Sequence, residues 1–173
     1  MSITVSQITK IHIPKRNPWH SPVNVIVEGK KGSGKIIIES DGDAWSYYWC
    51  NIGDDNIIEF FVGCDSDYLA KKFEMGISRT VVDESAEAIV GHLKSRIIND
   101  RLQGEITREK ARELWSMIRV SEDGVERNID LISQIVGNDW YNDLPKKPND
   151  DYNDLVMIIN VARSGLKEYL EIL

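Results

Sequence analysis

Residues whose types and spacing could do chemistry are sparse in these 173 positions, and the densest match is Gly29-Lys30-Lys31-Gly32-Ser33-Gly34-Lys35. The spacing meets the GxxxxGK part of a phosphate-binding loop, in which backbone amides cradle phosphates and the lysine neutralises them. The chain then continues as Ile36-Ile37-Ile38, where magnesium ligation needs Ser or Thr and phosphate binding needs a helix N-terminus. A glycine-rich hairpin turn, kept soluble by its lysines, is therefore predicted. The three histidines, His12, His20 and His92, fall on a predicted strand, loop and helix, and no GxSxG elbow accompanies them. Cys50 and Cys64 have neither CxxC nor Cys/His metal spacing and read as structural thiols. Asp41/Asp43, Asp54/Asp55, Asp65/Asp67 and Asp150/Asp151 offer oxygen ligands, but none lies in a DxDxDG loop with the closing Glu of a calcium site. Turn and helix-cap roles explain these pairs, and no catalytic residue, metal ligand or cofactor site is assigned.

A charge run carries more information than any motif. Between Lys35 and Lys71 there is no Lys or Arg, while Glu39, Asp41, Asp43, Asp54, Asp55, Glu59, Asp65 and Asp67 add eight negative charges. The same window holds Trp45, Tyr47, Tyr48, Trp49, Phe60, Phe61 and Tyr68, seven of the aromatic residues. Carboxylates at successive turns of a sheet line one edge, and aromatic anchors beside unneutralised charge suit a protein partner with a basic surface. The candidate partner-binding set is Asp41, Asp43, Trp45, Tyr48, Asp54, Asp55, Glu59, Asp65 and Asp67. A solvated turn edge above an aromatic core is the plainer reading of the same residues.

The elements that must position this window follow from the apolar period. Residues 3–13 alternate β-branched and polar types, Val23, Val25 and Val27 repeat the pattern, and Lys35–Glu39 and Ala44–Cys50 complete an antiparallel meander of about four strands. Trp45, Tyr47 and Trp49 share one face of the last strand, and Ser46 and Tyr48 the other. Trp19 and His20 lie in a proline-punctuated loop. After Gly53 the period turns helical, with Ile57–Phe61 still compatible with a short buried strand. Asp65 or Ser66 caps a helix through Phe73, Asp83 or Ser85 a longer one, and Thr107 a third that ends near Asp123-Gly124. Leu102 joins the apolar stripe of the second, and Trp115 that of the third. A weaker helix covers 128–136, Gly137–Asp154 is a loop whose last residues cap the final helix, and that helix carries the stripe Tyr152, Leu155, Val156, Ile159, Ala162, Leu166, Tyr169, Leu170 and Leu173. The expected fold is one α+β domain over 1–173, with a sheet over 1–63 and a layer of four to five helices over 64–173 packed on it.

Composition sets the outer limits. With 42% hydrophobic and 28% charged residues, the chain is an ordinary globular one. Its net charge of −7 argues against direct nucleic-acid or anionic-membrane binding as a main task. The N-terminal residues show neither a secretory signal nor a membrane span, so a cytoplasmic protein is expected. Tyr169-Leu170-Glu171-Ile172-Leu173 either packs in the core or seals a homodimer.

The segment Trp45-Ser46-Tyr47-Tyr48-Trp49-Cys50-Asn51-Ile52-Gly53, with Ile58-Glu59-Phe60-Phe61 and Asp65-Ser66-Asp67-Tyr68-Leu69-Ala70-Lys71-Lys72-Phe73, resembles a stretch in small accessory proteins of tailed phages and prophages. The resemblance implies a phage-encoded protein working in the host cytoplasm on a host system, and carries over no catalytic residue. Joined to the acidic window, it leads to a non-enzymatic inhibitor that blocks a basic, nucleic-acid-binding site on a host protein, of the anti-CRISPR or anti-restriction type. Two alternatives remain: an immunity or antitoxin-like protein neutralising a basic toxin, and a small hydrolase or nuclease whose acidic residues and histidine converge only on folding.

Overall fold

The computed structural model describes residues 8–15, 21–118 and 129–173. Strands β1 (Thr9–Ile13), β2 (Val23–Lys30), β3 (Ser33–Ser40) and β4 (Asp43–Trp49) form a four-stranded antiparallel sheet in the order β1-β2-β3-β4, the meander that the alternating pattern predicts. The register pairs Ile11 with Val25, Val25 with Ile38 and Ile38 with Trp45, so the apolar positions stack on one face. Val25, Ile36 and Ile38 are fully buried there, while His12, Ser46 and Tyr48 face outward. Residues 3–7, Trp19 and His20, and the expected helix end at Asp123-Gly124 lie outside the described residues.

Residues 57–61 are not a strand. They open helix α1 (Ile57–Gly63), because the Asn56 side chain accepts from the Ile58 amide and Glu59 lies in the first turn. Helix α2 (Ser66–Phe73) starts at the expected Asp65 cap. Helix α3 (Ala86–Gln103) starts at Ser85 and ends in left-handed Gly104, and α4 (Arg108–Met117) starts at Thr107. Helix α5 covers Ile129–Val136, and α6 covers Asp150–Ile172 behind an Asn149 cap. Asp150 to Asp154 therefore belong to this helix rather than to the expected loop. That loop also holds a 3-10 turn at Trp140–Asn142 and strand β6 (Lys146–Pro148), which pairs with β5 (Thr80–Val82). Neither short strand has the apolar alternation that would announce it.

The helical residues expected over 64–173 divide between two compact units, Met1–Arg79 with Asn149–Leu173, and Thr80–Pro148. In the first, α1, α2 and α6 cover the inner face of the sheet. Trp49 meets Phe60, Phe61 and Phe73 edge-on, with ring centres 5.9–6.2 Å apart. Gly165 lets α6 approach β1, since a Cβ there would overlap the side chain of Ile13. Tyr169 and Leu170 pack against this core, while Ile172 and Leu173 are exposed. In the second unit Ile89, Leu93, Ile97, Leu114, Ile132 and Ile135 form a separate core. Leu102 and Trp115, placed on core stripes by periodicity, stay outside it at 80% and 43% exposure.

Candidate functional site

The GxxxxGK segment is a hairpin. Gly29 pairs with Gly34 across β2 and β3, the chain turns at Lys31-Gly32, and Lys35 continues as strand. A Cβ on Gly29 or Gly34 would come within 2.7 Å of the Ile57 side chain, so these glycines make room for α1 to sit on the sheet. His12 is exposed and shares a 2.9 Å hydrogen bond with Asn24. His92 lies 3.6 Å from Asp143 in the second unit. Both cysteines are free: Cys50 is exposed and Cys64 half-buried, its thiol pushed up by that burial. Among the described residues no group of three or more His, Cys, Asp or Glu is placed to hold a metal ion.

Apart from Glu39, which pairs with Lys10 at 4.0 Å, the carboxylates of the acidic window separate into three groups. Asp41 and Asp43 lie at one end of β4 and Asp54 and Asp55 beyond the other. Seven residues of strand put roughly 20 Å between the two ends. The first group sits on the β3–β4 hairpin, where Asp41 (φ 53°) and Gly42 (φ 92°) take the left-handed pair of conformations that a two-residue Asp-Gly turn uses. This turn projects Asp41 and Asp43 over a groove of about 530 Å³ in the first unit. Three further carboxylates line it: Glu74 beyond α2, and Asp151 and Asp154 from the first turns of α6. Its apolar wall is Val23, Trp45, Leu155, Ile158 and Val161. Among the described residues no Lys, Arg or His lines the groove, and none of the five carboxylates makes an ion pair.

In the second group, ion pairing among the described residues reaches Asp54 alone. Asp54 pairs with Lys31 at 3.1 Å, the Asp55 carbonyl accepts from the Gly32 amide, and Glu59 sits in the first turn of α1. Asp54 and Glu59 share a second cavity, of about 440 Å³, with Lys30 and Lys31. The third group serves the fold. Asp65 accepts from the amides of Asp67 and Tyr68, capping α2. Asp67 takes hydrogen bonds from Lys71 (2.8 Å), Tyr152 (2.8 Å) and Arg79 (3.1 Å), tying α2 to the start of α6. Those bonds, Lys71's first, hold its carboxyl below the usual carboxylate range. Tyr48 is 55% exposed on the outer face of the sheet, away from the groove's lining.

Of the nine candidate residues, the structure thus brings Asp41, Asp43 and Trp45 together. It adds Glu74, Asp151 and Asp154, which sequence reasoning left out. Asp150-Asp151 was visible as an acidic pair, but nothing local tells that it faces a turn more than a hundred residues away.

The first unit is thus an α+β scaffold that carries an acidic groove with an apolar floor. A protein-family model described as a phage family matches residues 1–168, so the chain belongs to that family of phage proteins. No curated protein and no solved structure matches the chain. No described helix is long and apolar enough to cross a membrane.

Proposed function

We propose that this phage protein is a non-enzymatic inhibitor whose acidic groove occupies a basic, nucleic-acid-contacting site on a host protein, as an anti-CRISPR or anti-restriction protein would. The observation that carries the reading is five carboxylates around an apolar floor, without a counter-cation among the described residues. Unpaired charges of one sign in a concave surface add their fields and steer an oppositely charged partner. Lysine and arginine fit such a floor doubly, since their aliphatic stems pack on Trp45, Ile158 and Val161 while their heads reach the rim. A site that grips phosphates supplies those side chains already spaced along a groove.

The test is affinity capture from host lysate, with mass spectrometry, using the full chain and two charge-reversed variants. Asp41→Lys with Asp43→Lys and Asp154→Lys should lower capture of the specific partner by about tenfold or more, with the loss growing as salt is reduced. Asp54→Lys with Asp55→Lys, at the end where lysines already balance the charge, should leave capture intact. A wild-type chain that recovers no partner, or capture that survives the groove reversal, would sink the proposal. The class of the captured protein separates the readings: a nucleic-acid enzyme supports it, and a toxin replaces it with the immunity reading.

A further inference from the structure

The second unit carries a groove of opposite character, about 410 Å³ between α3 and α4. Its floor is Ile97, Ile98, Ala111 and Trp115, with Leu102 at the edge. Ile98 is 47% exposed, Leu102 80% and Trp115 43%. Large apolar side chains clustered in a concavity at such exposure mark an interaction surface. Arg101, Arg108 and Arg112 rim it, and among the described residues no carboxylate lines it. Arg108 and Arg112 stand one turn apart on α4 and so share a face. Among the described residues, none of the three arginines makes an ion pair.

We propose that this α3–α4 groove docks an amphipathic helix of a partner protein, one that carries carboxylates along both flanks of an apolar stripe. Two observations select that occupant. The floor is mainly aliphatic with one aromatic ring, which suits leucine-like anchors at i, i+3, i+4 and i+7. A single strand of nucleic acid would instead need successive aromatic platforms and a cationic track along its backbone. The rim supplies three guanidinium groups, unpaired among the described residues, whose planar forks match carboxylates two at a time. On a chain of net charge −7, such an uncompensated basic rim favours acidic partners locally while the overall field disfavours a phosphate polymer. This surface and the acidic groove share no lining residue, so the two proposals stand or fall separately.

The experiment is fluorescence anisotropy with the full chain and three labelled probes. These are a synthetic helical peptide with a leucine stripe flanked by glutamates, the same peptide with lysines for glutamates, and a single-stranded oligothymidine. The glutamate peptide should bind at least tenfold tighter than the lysine peptide and tighter than the oligonucleotide. Arg108→Glu with Arg112→Glu should weaken it tenfold or more, and Leu102→Ser several-fold, with circular dichroism unchanged. Leu102 is exposed enough that its replacement leaves the core alone. The Asp41→Lys/Asp43→Lys variant should bind the glutamate peptide as well as the wild type does. The inference is overturned by absence of glutamate-peptide binding, by equal binding of the two peptides, by preference for the oligonucleotide, or by indifference to the arginine reversal. It is also overturned if sedimentation shows a dimer that the arginine reversal splits, because the face would then be an interface between copies.

Discussion

The two grooves of this protein are built from similar materials and differ in sign. In the first unit an apolar floor of Trp45, Leu155, Ile158 and Val161 is rimmed by Asp41, Asp43, Glu74, Asp151 and Asp154, with no cation among the described lining residues. In the second, Ile98, Ala111 and Trp115 are rimmed by Arg101, Arg108 and Arg112, with no carboxylate among the described lining residues. A net charge of −7 predicts the first and hides the second. The lesson concerns the scale at which charge acts. Counted over the chain, it sets solubility and long-range steering, whereas a partner within a Debye length of about 8–10 Å feels the few side chains that folding has gathered around one concavity.

The sharpest way to break the comparison is through the cores beneath the grooves. Phe61 is fully buried and meets Trp49 and Phe73 edge-on, so Phe61→Ala should cost about 3–5 kcal/mol. Leu93 is fully buried in the second unit's cluster, and Leu93→Ala should cost about 2–5 kcal/mol. Hydrogen exchange read by mass spectrometry tells where each loss falls. Phe61→Ala should deprotect β2–β4 and α6, and Leu93→Ala should deprotect α3 to α5. If both variants loosened all of these elements alike, the two cores would be one cooperative system and the division into units would lose its energetic meaning.

The comparison also shows what was legible in the sequence. The four-stranded meander could be read because a two-residue period with one buried face is a local signal, and the caps Asp65, Ser85 and Thr107 could be read because capping is settled within three residues. Helix α1 was ambiguous because Ile57, Ile58, Phe60 and Phe61 are apolar in both periods. The deciding mark was Asn56 with Glu59 three residues later. Strands β5 and β6 were illegible, since three-residue strands containing Lys146, Lys147 and Pro148 owe their pairing to chain closure. The acidic groove was half legible. Asp41, Asp43 and Trp45 are close in the chain, but Asp151 and Asp154 join them only because α6 returns across the sheet. The basic groove was missed for the opposite reason: periodicity assigned Leu102 and Trp115 to the core, and tertiary packing left both outside it.

A smaller effect separates carboxylates that serve binding from one that serves the fold. Asp67 resembles Asp41 and Asp43 in sequence, yet it is bonded to Lys71, Tyr152 and Arg79. Because its folded-state pKa lies below its unfolded one, the stabilisation it provides is complete above the ordinary carboxylate value and is lost as pH falls through the folded value. Asp67→Asn should therefore be less stable than the wild type at pH 7, with the gap between their urea midpoints narrowing below about pH 4. A gap for Asp67→Asn that stays constant from pH 7 into the acid range would mean that the network does not act through the ionised carboxylate.

The smallest expected effect compares two lysines that each lie over aromatic rings. In the first unit, Lys72 Nζ lies 5.0 Å from the Tyr47 ring centre and 5.5 Å from that of Tyr68, and donates to the Tyr47 hydroxyl at 3.3 Å. That hydrogen bond is the main reason its ammonium holds its proton more firmly than an ordinary lysine. In the second unit, Lys94 Nζ lies 5.2 Å from the Trp115 ring centre, beside the arginine rim. A cation over an exposed ring contributes about 0.5–1 kcal/mol, and methionine keeps most of the aliphatic stem while removing the charge. Lys94→Met should thus lower stability by about 0.5–1 kcal/mol in urea titration. It should also weaken the glutamate peptide less than the arginine reversal does, because Lys94 spends its charge on Trp115 while the arginines make no ion pair among the described residues. If Lys94→Met matched the arginine reversal in lost peptide binding, the cation over the ring would be part of the recognition surface, and the basic rim would extend one turn further along α3 than the groove's lining shows.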